Sequence, residues 1–220
     1  MAAIFRFTPA PGRCRAHVAA LAAVVLVWLL ALVAGTLMMI DYDVRPGDLG
    51  QAVDAWPADS RLVRSTTQPT LVMFIHPRCP CSRASIAELA RIMERRTTPI
   101  DARVIFVKPP GTPEDWSRTS LRRAAEQIPG VQIAVDPLGA ESRAFGAATS
   151  GQTLLYDAAG RLAFRGGITS GRGHQGANLA SDALLAQLDA ASDAPPTAPT
   201  HPVFGCSLLT PPDQCRKPQP

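Results

Sequence analysis

Two cysteines separated by a single proline, within Phe74 to Ser85 (FIHPRCPCSRAS), carry the clearest potential for chemistry in this chain of 220 residues. They fall where a short apolar run hands over to a stretch with helical periodicity. A cysteine at a helix start meets unpaired backbone N–H groups and the positive end of the helix dipole, which stabilise its thiolate and make it a nucleophile at neutral pH. Proline favours the first helical position. Pro80 therefore makes Cys79 the expected N-cap, with Arg78 and Arg83 adding positive potential nearby. Cys81 is the nearest second thiol. A disulfide between residues two apart closes a small, strained ring, so a Cys79–Cys81 bond would be oxidising and easily reduced. His76 is placed either to hold a thiolate or shuttle a proton, or simply to end a strand in solvent.

Cys206 and Cys215 are separated by eight intervening residues that include Pro211-Pro212. Two roles are open to them. A mutual disulfide would staple the tail; alternatively, the apolar patch Val203-Phe204-Gly205 docks on the body and carries Cys206 beside Cys79 and Cys81. From Ser192, fourteen steps of proline-rich chain at about 3.1 Å each reach roughly 43 Å, beyond the radius of a domain of this size. Phe204 is accordingly expected to pack onto the body and bring Cys206 within reach of the CPC turn.

The same residues also suit a soft-metal module, in which the two thiolates with His76 or Cys206 hold Cu(I) or Zn. A non-catalytic scaffold is a third reading, because Ser82 stands three residues after Cys79 where a second cysteine would complete C-x-x-C. His174, in GGITSGRGHQGAN, belongs to a Gly-rich loop that either folds over the site or simply connects two elements. That loop matches neither a P-loop nor a dinucleotide fingerprint.

The elements that must position these residues are legible from pattern. Thr70 to Ile75 (TLVMFI), between Pro69 and His76-Pro77, reads as a strand buried on both faces. Ser82 to Arg96 reads as a helix with Ile86, Leu89 and Met93 on one face. Arg103 to Val107 is a second strand. Thr112-Pro113-Glu114-Asp115 supplies an N-cap, a first-turn proline and an acid near the dipole for a second helix ending near Gln127. A third strand (Val131 to Val135), a short helix (Glu141 to Phe145), a hairpin (Thr153 to Tyr156 and Leu162 to Arg165) and a last helix (Leu179 to Leu188) follow. Parallel crossovers come first and an antiparallel pair last, an α/β layout.

Composition limits the function classes. The chain is 46% apolar and 18% charged, which excludes wholesale disorder. Of 22 basic residues only Arg6, Arg13 and Arg15 precede Asp41, so the remainder carries 19 basic against 18 acidic groups and makes no case for nucleic acid. Ala16 to Ile40 lacks any formal charge, and Val18 to Ile40 would span roughly 35 Å as a helix, enough to cross a bilayer core. A cleaved signal peptide is the rival, although its apolar region is usually shorter. The three arginines before the segment and Asp41 and Asp43 after it keep the N-terminus in the cytoplasm and export the rest. Exported thiols meet an oxidising environment.

The strand, the cysteine turn, the following helix and the TLLYDAAGRLAFRGG hairpin together resemble the thioredoxin superfamily over about Pro69 to Ala191. The anchor, the PxCPCS motif and the FGC tail are similar to a group of bacterial membrane proteins called RedB-like. The resemblance implies a three-layer fold, a mixed central sheet with flanking helices, preceded by one transmembrane helix. It divides the chain into a cytoplasmic N-terminus (1–17), the transmembrane helix (18–40), a spacer (41–68), a thioredoxin-like domain (69–191) and a Pro-rich, Cys-containing tail (192–220). It further implies a single-pass protein of the bacterial inner membrane with a periplasmic domain, acting without a cofactor on protein or small-molecule thiols and disulfides. Cys79 takes the attacking role and Cys81 becomes its partner. Three positions depart from the superfamily pattern: Ser82 replaces the second cysteine, Gln152 stands before Thr153 where a cis-proline is usual, and Met73 occupies the place of a buried acid.

Overall fold

The computed structural model describes residues 11–189 and 198–209. The chain divides into two compact units between Tyr42 and Asp43. The first is built on helix α1, Pro11–Val44, whose stretch from Arg15 is long and apolar enough to cross a membrane, a property that signal sequences share.

The second unit contains a five-stranded sheet of order β3-β2-β1-β4-β5. Its strands are β1 Thr70–Ile75, β2 Asp101–Lys108, β3 Val131–Pro137, β4 Gln152–Tyr156 and β5 Leu162–Gly166, with helices α2 Ser82–Arg95, α3 Ser120–Glu126, α4 Ala140–Ala144 and α5 Leu179–Asp189. β1 runs parallel to β2 with Thr70 opposite Asp101 and Ile75 opposite Phe106, and β2 runs parallel to β3. On its other side β1 pairs antiparallel with β4, placing Phe74 opposite Gln152. Every residue of β1 is buried, as expected of a central strand with covered faces.

Alternation along β1 assigns its side chains to two cores. Leu71, Met73 and Ile75 pack with Ile86, Leu89 and Ile92 of α2, Leu121 of α3 and Leu184 and Leu188 of α5. Val72 and Phe74 face Phe145, Leu154, Tyr156 and Leu208, with Trp56 and Leu62 against them. The result is three layers. Leu89 is fully enclosed, and Leu89→Ala is expected to cost about 2 to 5 kcal/mol through lost transfer energy and the cavity left behind. Urea unfolding measures it; a cost below about 1 kcal/mol would show that the site collapses around the smaller side chain.

Two local readings are corrected. The helix after β2 starts not at Thr112 but at Ser120, capped by Thr119, whose hydroxyl accepts from the Arg122 N–H at 3.3 Å. Residues 113–118 instead form turns that bury Trp116, and that burial outweighs the favourable helix-start chemistry at Thr112. The segment read as a spacer is bound to the second unit from Asp43 onward. Trp56 meets Phe145 and Tyr156 edge-on at 4.9 and 5.3 Å between ring centroids, and the Trp56 N–H donates to the Gly160 carbonyl at 2.8 Å. Between residues 198 and 209 the tail packs as expected, for Phe204 is buried together with Val203 and Leu208. Three apolar side chains supply the gain that proline-rich composition alone does not suggest.

Candidate active site at the CPC turn

β1 delivers the chain to the site and α2 carries it away. The Cys79 N–H donates to the His76 carbonyl at 3.0 Å, and the N–H groups of Ser82, Arg83 and Ala84 donate to the carbonyls of Cys79, Pro80 and Cys81 at 3.2, 3.3 and 3.1 Å. Cys79 to Cys81 is therefore a tight turn continuous with the helix start. The N-cap is Cys81 rather than Cys79, and it makes no side-chain cap; Pro80 sits within the turn, not at the first position of α2.

Cys79 is only 2% exposed and Cys81 is also buried. No disulfide joins Cys79, Cys81 and Cys206 in this structure. The Cys79 sulfur is surrounded by donors: the Cys206 side chain first, then that of Cys81, then Ser82, with the Cys206 backbone N–H at 3.4 Å completing the set. These donors hold Cys79 far below the ordinary thiol range even though burial opposes ionisation. Cys81 moves the other way. Its hydrogen bond to Cys79, its burial and the neighbouring thiolate charge push it well above the usual value, with Arg172 as the opposing influence. One proton is thereby held on Cys81 and one sulfur is left anionic.

Ser82 gains a role from its surroundings. Its hydroxyl lies 2.6 Å from that of Ser150, and the Ser150 hydroxyl accepts from the His76 N–H at 2.7 Å. A relay of donors thus runs from the His76 backbone through Ser150 and Ser82 to the Cys79 sulfur. His76 is not a solvated strand end; its ring is buried edge-on to Trp116 at 5.7 Å between ring centroids. Arg78 lies over that same indole, its guanidinium carbon 4.0 Å from the ring centroid. His174 and Arg83 are exposed.

The tail crosses the turn. Ser150 donates its N–H to the Cys206 carbonyl at 2.8 Å, Leu208 donates to Ala148 at 2.9 Å, and Thr149 and Ser207 form an antiparallel bridge. Arg172 fixes the same stretch through the Gly205 carbonyl at 2.7 Å. Cys215 and the expected Cys206–Cys215 disulfide fall outside the described residues. The segment before β4 has Gln152 buried, its amide donating to the Leu49 carbonyl at 2.7 Å, and no cis peptide occurs among the described residues. Among these residues no group of three or more His, Cys, Asp or Glu side chains is arranged to hold a metal ion.

Three parallel strands followed by an antiparallel pair have counterparts among solved structures. An uncharacterized conserved protein from Geobacillus kaustophilus superposes with a TM-score of 0.52 at 21% identity, over 77% of this chain and 94% of its own. The fold is thioredoxin-like. A hypothetical protein from Sinorhizobium meliloti gives 0.48 at 20% identity, over 77% of this chain and 96% of its own. A secreted Mycobacterium tuberculosis disulfide oxidoreductase homologous to E. coli DsbE gives 0.40 at 14% identity, over 56% and 81%, a likeness too loose to say anything of activity here. No family model and no curated protein matches the chain.

On this thioredoxin-like frame the CPC turn, the Thr149–Gln152 segment, the Arg172 loop and the tail converge. Sequence pattern pointed to the first and, through the Val203-Phe204-Gly205 patch, to the last. Ser150 and Arg172 were missed, because a lone serine and one arginine among twenty carry no spacing signal.

The charge arrangement has a measurable consequence. Iodoacetamide reacts with thiolate, not thiol, so alkylation of Cys79 should persist well below pH 9.0, the ordinary value for this group, while Cys81 should react only at more alkaline pH. Burial slows the absolute rate but leaves the pH midpoint readable, and mass mapping distinguishes the two positions. The stability sign follows. Stabilisation from Cys79 is present above its unfolded value and is lost as pH falls through the depressed folded one; that from Cys81 is present below its unfolded value and is lost as pH rises through the raised one. A Cys79 midpoint near 9.0 would contradict the donor geometry.

Proposed function

We propose that this chain is an exported, membrane-tethered thiol–disulfide oxidoreductase in which Cys79 is the nucleophile. The observation that carries the reading is the buried Cys79 sulfur at the start of α2, ringed by the donors from Cys206, Cys81 and Ser82. Such a thiolate attacks one sulfur of a substrate disulfide, the substrate S–S bond breaks, and a Cys79–substrate mixed disulfide forms. Cys81, which keeps its proton, is the neighbouring acid for the departing thiolate. Ser82 and Ser150 orient the donors and keep the Cys79 lone pair aimed along a fixed direction.

Helix α1 serves as the tether to a bacterial inner membrane. The arginines Arg6, Arg13 and Arg15 before the apolar stretch and the acids Asp41 and Asp43 near its end support an outer-side location for the thioredoxin-like unit, where disulfides of proteins or small molecules are available. No cofactor is required by this chemistry. The test uses the full chain in detergent, oxidised glutathione as the disulfide and dithiothreitol as the electron donor. Release of glutathione above the uncatalysed rate, with a glutathione adduct on Cys79 trapped by acid quench, supports the reading; an unmodified Cys79 and no rate gain overturn it.

A further inference from the structure

We infer that Cys206, rather than Cys81, is the thiol that resolves the mixed disulfide on Cys79. The inference rests on the oxidoreductase reading and assigns its second half-reaction. It begins from the backbone: the Cys206 N–H lies 3.4 Å from the Cys79 sulfur, and the Cys206 side chain reaches the same atom. Although 127 residues separate the two in sequence, the approach is built in. Ser150 holds the Cys206 carbonyl, Arg172 holds the Gly205 carbonyl, Gly47 donates to the Val203 carbonyl at 2.8 Å, and Phe204 is buried. A Cβ on Gly205 would sit 2.0 Å from the Ser150 carbonyl oxygen, so only glycine lets the strand pass this close to the turn.

Cys81 is poorly placed for the same task. A bond to Cys79 would close a small ring around Pro80, whose φ is fixed, inside a turn already held by the Ser82 and Arg83 hydrogen bonds. A bond to Cys206 closes no small ring. Cys206 is also the most exposed of the three sulfur-bearing residues, half-buried where the others are buried.

The chemistry balances without an outside oxidant. Attack by Cys79 on R–S–S–R′ forms Cys79–S–R and releases R′–S⁻, which takes up a proton. Arrival of the substrate lifts the tail, because Cys79 is otherwise covered. On return, Cys206 gives its proton to solvent and attacks the Cys79 sulfur; the Cys79–S–R bond breaks, R–S⁻ leaves and is protonated, and a Cys79–Cys206 disulfide forms. The two protein thiols lose two electrons and the substrate gains two. A dithiol donor restores the starting state.

The experiment treats the reduced full chain in detergent with one equivalent of oxidised glutathione, quenches in acid and maps linkages by tandem mass spectrometry. The wild type should yield a Cys79–Cys206 link. Cys206→Ser should keep glutathione on Cys79 about tenfold longer or more, whereas Cys81→Ser should clear it through Cys206. A Cys79–Cys81 link in the wild type, a Cys206 found joined only to Cys215, or an adduct that persists in Cys81→Ser but clears in Cys206→Ser overturns the assignment while leaving Cys79 as nucleophile. Finding Cys79 with neither a glutathione adduct nor a disulfide link, in the wild type and in Cys206→Ser alike, overturns the oxidoreductase reading, and this assignment falls with it.

Discussion

Cys79→Ser should lower disulfide exchange by about a thousandfold or more, because a serine hydroxyl is essentially un-ionised at neutral pH and cannot replace the thiolate. The substitution removes the reacting sulfur and little else. Serine fits the space of cysteine, and the turn is held by backbone hydrogen bonds from Cys79, Ser82, Arg83 and Ala84 that do not involve the side chain. The thermal unfolding midpoint should therefore shift only by a few degrees, while glutathione release under dithiothreitol turnover falls to the uncatalysed rate. The Cys206 and Cys81 thiols lose their anionic acceptor, so the alkylation midpoint of Cys81 should move down toward the ordinary range, since the neighbouring thiolate and its hydrogen bond are what raise it. Retained exchange in Cys79→Ser would show that another thiol attacks.

Gly205→Ala should have the second largest effect, and it acts without touching a sulfur. The added methyl would meet the Ser150 carbonyl oxygen at 2.0 Å and its carbonyl carbon at 3.0 Å. Both are backbone atoms in a segment pinned on two sides, for the Ser150 N–H donates to Cys206 and the Gly151 N–H donates to the Phe74 carbonyl at 2.8 Å. No flexible side chain can yield, so the tail must lift. Overpacking of this kind costs about 1 to 3 kcal/mol, measurable by urea unfolding. The functional consequence is more specific: with Cys206 displaced, Cys79 loses its principal donor, and its alkylation midpoint should rise. An unchanged midpoint together with unchanged stability would mean that the tail does not bear on the cysteine turn.

Neither effect could be ranked from composition. The CPC turn was legible because short-range rules act there: a buried apolar strand, a turn holding two cysteines and a proline, and an amphipathic helix follow one another directly between Thr70 and Arg95. The same rules failed at Thr112. Its proline and two acids are sound helix-start chemistry, yet the helix begins at Ser120, because Trp116 is buried against His76 and Arg78 and a regular helix from Thr112 would compete with that packing. His76 shows a related limit. A histidine beside a proline reads as a solvated strand end until the indole that covers it is located.

Ser82 illustrates how a local departure changes meaning in three dimensions. By spacing it is a missing cysteine; in the fold its hydroxyl joins Ser150 and the Cys79 sulfur. Nearest-neighbour pattern alone sets the apolar helix α1, the enclosed strand β1, the amphipathic helix α2 and the hairpin β4–β5, with Cys79 and Cys81 between β1 and α2. The surroundings of the thiolate come from long-range packing. Ser150, Arg172 and Cys206 are each separated from Cys79 by tens of residues, and their convergence depends on β4 pairing antiparallel with β1 and on Val203, Phe204 and Leu208 finding buried positions. Those are long-range gains in apolar burial, large enough to order a proline-rich segment, and no spacing along the chain encodes which groove will provide them.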